Sequence, residues 1–95
     1  MILHVTEATY LNNYCIQLSF NNGQSGVVDL KNDLEGTVFQ LLKDKSFFKK
    51  FKLDKELDTI VWPNGTDIAP EYLYFLAFKQ KLELQEQFKK WGYIA

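Results

Sequence analysis

"YCIQLSFNNGQSGVVDL", Tyr14 to Leu30, is the stretch on which the reading of the whole chain turns. Tyr14, Ile16, Leu18 and Phe20 recur at every second position. Successive side chains of a strand point to opposite faces, so these four share one face. Asn21, Asn22 and Gly23 follow as a tight turn, because Asn and Gly tolerate the positive φ that such a turn demands. Gly26 to Leu30 then resumes strand character. Upstream, Ile2 to Thr9 mixes β-branched and polar residues, and Asn12 and Asn13 mark a bend. The opening is expected to be a three-stranded antiparallel meander.

Downstream, Asp33 or Thr37 can open a short helix by offering a side-chain oxygen to unpaired backbone N–H groups, with Val38, Leu41 and Leu42 on a common face. Asp44 to Lys50 makes a further turn of helix, initiated near Ser46 and anchored through Phe47, Phe48 or Phe51. Phe51 and Leu53, then Thr59 to Trp62, read as a second hairpin about the polar stretch Asp54 to Glu56. The segment "WPNGTDIAP", Trp62 to Pro70, closes it: Pro63 lacks a donor and stops the strand, and Asn64-Gly65 reverses the chain. Pro70 suits the first turn of a helix, and Gly92 suits its end. Between them Leu73, Leu76, Ala77, Leu84, Phe88 and Trp91 can share one broad stripe. The expected fold is α+β: an antiparallel sheet of the meander plus the second hairpin, one or two short middle helices, and a longer C-terminal helix.

The chain has 95 residues and a net charge of −1, which suits one domain over residues 1–95 and gives no general electrostatic attraction to nucleic acid or anionic membranes. Its basic side chains apart from His4 are all lysine, so the guanidinium fork that reads guanine edges is missing. Lysines gather at Lys43, Lys45, Lys49, Lys50 and Lys52, and at Lys79, Lys81, Lys89 and Lys90, diluted by Asp44, Asp54, Glu83 and Glu86. A solvated surface is the first reading of these groups; a phosphate-contacting regulator is the alternative. One cysteine excludes an internal disulfide, and the N-terminus does not read as a secretion signal. A cytoplasmic location is expected, with no membrane span.

Chemistry finds little purchase. His4 and Cys15 are the sole nitrogen and sulfur candidates for a metal site. Cys15 alternates with the apolar face and is read as a small structural side chain. Asp67 and Glu71, four positions apart, resemble an acid/base pair, but helix capping explains them more simply. No catalytic, cofactor or metal residue is assigned, and a non-enzyme is expected. Trp62, Pro63, Asn64, Gly65, Asp67 and Pro70 are instead a structural motif, with Trp62 packed against the sheet or the final helix. Tyr72, Tyr74, Phe75, Phe78, Phe88 and Trp91 crowd the last helix, so some should be exposed or covered by another chain.

The sequence resembles a small bacterial family, domain of unknown function two-four-four-two. "GVVDL" at Gly26 to Leu30, "FKKFKLD" at Phe48 to Asp54 and above all "TIVWPNGTDIAPEYLY" at Thr59 to Tyr74 carry the resemblance. It covers residues 1–78 and leaves 79–95 as a C-terminal helical extension. The resemblance implies a compact α+β domain, found in some members beside a helix-turn-helix domain and in others near suspected toxin–antitoxin pairs. No helix-turn-helix is legible here. The expected role is a protein-interaction or regulatory module that engages a protein partner or a second copy through its aromatic C-terminal helix.

Overall fold

The computed structural model describes residues 2–34 and 36–95, apart from the side chains of Thr37 and Val38. Strands β1 (Val5–Asn12), β2 (Cys15–Phe20) and β3 (Ser25–Asp29) form an antiparallel sheet in the order β1-β2-β3. The two-residue period holds: Ile16, Leu18 and Phe20 are buried, and the register sets Ile16 beside Val28 and Leu18 beside Gly26. The other face carries Gln17, Ser19 and Ser25 together with the exposed Val27, and the Ser19 and Ser25 hydroxyls lie 2.9 Å apart. β1 begins later than expected, because residues ahead of it are held by the β2–β3 turn. Asn21 Oδ1 accepts from His4 N–H at 3.0 Å, and Asn21 Nδ2 donates to the Ile2 carbonyl at 2.7 Å.

The middle segment is tighter than expected. Thr37–Lys43 is a 3₁₀ helix with Gly36, rather than Asp33 or Thr37, at its N-cap. Its three-residue period breaks the anticipated apolar face: Leu42 is buried, whereas Leu41 is 55% exposed. The expected contribution of Val38 lies outside the described side chains. Helix α1 (Lys45–Phe48) follows, capped by Asp44 rather than Ser46; Asp44 Oδ1 accepts from Ser46 N–H at 2.9 Å and from its hydroxyl at 2.7 Å. Those two bonds hold the Asp44 carboxyl below the usual carboxylate range. Of the three candidate anchors, Phe48 is the fully buried one.

β4 (Lys52–Asp54) and β5 (Thr59–Val61) make the second hairpin, and Asp67 adds a backbone bridge to Val61 on its far side. Trp62, directly after β5, is 2% exposed. Its indole N–H donates to the Phe48 carbonyl at 2.7 Å, and its ring meets Phe48 at 5.7 Å and Phe51 at 6.1 Å. These partners belong to α1 and the segment after it, not to the C-terminal helices. Phe48 in turn meets Tyr10 and Tyr14 from the meander, so one ring joins the two sheets.

The C-terminal helical span starts at Pro70 and ends before Gly92 as expected, but it is interrupted. Helix α2 (Pro70–Phe78) gives way to a 3₁₀ turn at Leu82–Leu84 and then helix α3 (Gln85–Trp91). In one straight helix Phe75 and Phe88 would lie about 20 Å apart along the axis. Their ring centroids are 5.1 Å apart, so α3 folds back on α2. Gln85 Nε2 donates to the Lys79 and Lys81 carbonyls at 3.0 and 2.8 Å, satisfying acceptors that the break leaves bare. Aromatic burial is the compensating gain.

α2 lies close to β3. A Cβ built on Gly26 would stand 3.0 Å from Phe78 Cε1 and 3.2 Å from Ala77 Cβ, so the absence of a side chain sets the helix–strand distance. Two outcomes follow for thermal or urea unfolding. Trp62→Ala should cost about 3 to 5 kcal/mol through the cavity it leaves. Gly26→Val should cost about 1 to 3 kcal/mol by overpacking against Phe78, and an unchanged midpoint in either variant would refute the corresponding contact.

Candidate functional site

The Trp62–Pro70 corner is built from a turn that the chain uses twice. Gly65 N–H donates to the Trp62 carbonyl at 2.9 Å, and Trp62 N–H donates to the Thr66 carbonyl at 2.8 Å. In Phe20–Gln24, Gly23 N–H donates to Phe20 at 3.0 Å and Phe20 N–H to Gln24 at 2.9 Å. In each, the Asn side chain accepts from the residue after Gly: Thr66 N–H to Asn64 at 3.1 Å, Gln24 N–H to Asn22 at 3.0 Å. Both glycines have φ of 85°, which L side chains rarely adopt. An aromatic residue begins both turns, and both aromatics are buried.

Pro63, Asn64, Gly65 and Asp67 are exposed around this turn, while Thr66 and Ile68 are buried. The buried Thr59 hydroxyl donates to the Ile68 carbonyl at 2.5 Å and locks the return strand to β5. Asp67 does not cap α2: the N-cap is Ala69, without a side-chain bond, and Pro70 is the first helical residue. Asp67 lies two residues ahead of that N-cap, where its backbone is held in a bridge to Val61. Asp67 and Glu71 share no hydrogen bond among the described residues, and Glu71 instead acts electrostatically on Tyr93. The corner borders a hollow of about 230 Å³ lined by Phe39 and residues Asn64 to Asp67.

The anticipated aromatic face is largely turned inward. Tyr74, Phe78 and Phe88 are buried within the chain, which leaves little of their rings for an outer contact surface. Tyr72, Phe75 and Trp91 remain half-buried. The fold-back explains this: Tyr74 meets Phe88 at 6.3 Å and Trp91 at 6.1 Å, so α3 covers the face of α2 that a single helix would have left open. Tyr93, not among the expected site residues, sits 5.4 Å from Tyr72, 5.1 Å from Phe75 and 6.2 Å from Trp91. Its place follows from the helix end: Gly92 is left-handed, Tyr93 N–H donates to the Phe88 carbonyl at 3.0 Å, and an apolar residue after such a glycine characteristically packs back. That pattern was present in the sequence as Gly92-Tyr93.

A second hollow, about 520 Å³, opens between the N-terminal segment and α3. Leu3, Leu84, Tyr74 and Trp91 supply its apolar lining, and Glu83, Glu86 and Lys90 its charges. Leu82, next to Glu83 in the chain, is 86% exposed. The lysines Lys45, Lys49, Lys50 and Lys52 are also exposed.

Among the described residues, the environment shifts a few titratable groups in clear directions. The Cys15 thiol is pushed up by burial and by the Asp29 charge, which keeps it protonated rather than nucleophilic. Among the described residues no cluster of His, Cys, Asp and Glu could hold a metal ion, and no helix is long and apolar enough to cross a membrane. His4 Nε2 lies 3.3 Å from Asp58 Oδ2 at the seam between the sheets.

Tyr72 is strongly perturbed. Its hydroxyl donates to Asp33 Oδ1 at 2.7 Å, and burial together with that bond raises its pKa to about 12. The folded value lies above the unfolded value of about 10, so this stabilisation is complete below about pH 10 and is lost as pH rises through about 12. Tyr72→Phe should lower stability at neutral pH by about 0.5 to 1.5 kcal/mol. The same variant should lose less stability than wild type on going from neutral to strongly alkaline pH. Parallel declines in urea titrations would dismiss the Asp33 contact.

No curated protein and no solved structure matches the chain. A family model described as "Protein of unknown function (DUF2442)" matches residues 5–79, which takes in the meander, the second hairpin, the Trp62–Pro70 corner and α2. The chain belongs to the DUF2442 family.

Proposed function

We propose that this protein is a non-enzymatic interaction module with a regulatory role, engaging a protein partner through the surface formed where α3 returns over α2. The supporting observation is the half-buried aromatic row of Tyr72, Phe75, Trp91 and Tyr93, continuous through ring contacts of 5.1 to 6.2 Å. Rings of this kind supply large, rigid contact area, and aromatic residues are enriched where partners bind most tightly. The raised thiol of Cys15 and the raised phenols of Tyr72 and Tyr93 favour neutral groups over nucleophiles or bases. A toxin–antitoxin-like pairing is one form such regulation takes.

The test is co-purification of the tagged protein with the products of adjacent genes, followed by light scattering on the complex. Wild type should retain a partner. Trp91→Ala, at a residue that is not fully buried, should weaken retention by about tenfold or more. Retention of no neighbouring protein would overturn the proposal. Steeply salt-dependent binding to DNA or RNA would instead transfer the function to the exposed lysines, because phosphate neutralisation releases counterions.

A further inference from the structure

We infer that the hollow on the second hairpin, where Lys50 and Lys52 meet the Trp62 corner, is a binding site for a small carboxylate with an apolar body. Its lining falls wholly within residues 50–63 and shares nothing with the aromatic row of α2 and α3. The site therefore goes beyond the interaction module proposed above. It measures about 360 Å³, near the lower end of the roughly 300 to 1,000 Å³ typical of small-molecule sites.

Leu53, Val61, Trp62 and Pro63 make the lining mainly apolar. Lys52 pairs with Val61 across the hairpin, and cross-strand partners share a face, so this lysine rises beside the apolar surface. Phe51 sets its ring against Trp62 at 6.1 Å, while the exposed lysines on either side of it both line the hollow. Two lysines stand against one carboxylate there, that of Asp54. Asp54 is occupied by its own turn: Oδ1 accepts from Glu56 N–H at 2.8 Å and from Leu57 N–H at 3.0 Å. Asp44, the preceding acidic residue, is engaged by Ser46, with Lys50 a lesser influence on it. Neither Lys50 nor Lys52 forms an ion pair among the described residues, where the one ion pair joins His4 to Asp58. The hollow thus combines apolar surface with an excess of one positive charge. A single carboxylate on a ring or branched chain answers both features: its head accepts charge-assisted bonds from the ammonium groups and its body covers the apolar lining. A bare anion would forgo the apolar surface, and an uncharged ring would leave both lysines unpaired.

NMR of the full chain tests the inference, with the two indole N–H signals as reporters. Trp62 lines the hollow and Trp91 does not, so naphthoate should shift the Trp62 signal saturably, with a dissociation constant of about 1 mM or below, and leave Trp91 in place. Naphthamide, the uncharged counterpart, and inorganic phosphate should each bind at least about tenfold more weakly. The double variant Lys50→Gln/Lys52→Gln should weaken naphthoate by about tenfold, whereas Lys79→Gln/Lys81→Gln, outside the hollow, should leave it unchanged. All four lysines are exposed, and circular dichroism establishes that both variants are folded. An unmoved Trp62 signal, equal binding of naphthamide, or equal losses in the two double variants overturns the inference.

Discussion

The hydrogen bond from the Trp62 indole to the Phe48 carbonyl is the constraint from which the architecture follows. Phe48 ends the short helix α1, where backbone carbonyls have no partner within the helix. A four-residue helix cannot hold itself together in water, so α1 depends on what packs around it. Trp62 satisfies that helix-end acceptor and covers the Phe48 ring in one step. Tyr10 and Tyr14 close the same ring from the other side. The meander and the second hairpin also meet directly, through the Val5 N–H to the Asp58 carbonyl and through His4 beside Asp58, and the aromatic group around Phe48 adds the link that runs through α1.

The repeated turn explains why a corner that looks like a chemical site is structural. An aromatic residue followed two positions later by Asn-Gly places the ring under the sheet while the Asn side chain and the left-handed Gly close the loop above it. Phe20 and Trp62 occupy equivalent positions in the two turns and serve different helices. Phe20 meets Tyr74 and Phe78 of α2, whereas Trp62 meets Phe48 of α1. Each hairpin thus presents one large ring to one helix, and the turn geometry shared by the two hairpins accounts for the dense wording of "WPNGTDIAP".

Local patterns were legible where one rule governed them. The alternation through Ile16, Leu18 and Phe20, the Asn-Gly reversals, Pro70 at a helix start and Gly92 at a helix end each reflect a nearest-neighbour constraint, and each is present in the fold. What escaped was decided at long range. Nothing local marks the break after Phe78: Lys79, Gln80 and Lys81 are ordinary helix formers, and the chain bends because Phe88 gains a buried place beside Phe75 and Tyr74. The same long-range choice removed Tyr74, Phe78 and Phe88 from the expected contact face. Asp67 is of a type that suits a cap, but its backbone is engaged by Val61 and the N-cap is Ala69.

That fold-back also changes what the surface can do. A single long helix would have offered a continuous aromatic stripe along its length. Two short helices packed together spend the largest rings on each other and leave a narrower row at their edge, anchored by Tyr93 and by the Tyr72 bond to Asp33. Rings fixed in this way lose little conformational freedom when a partner covers them, which favours binding more than added area does. The connection between α2 and α3, by contrast, holds Leu82 out in solvent with no role in the core. Folding the helix in two therefore lets the inner rings complete the core while the outer row stays at the edge.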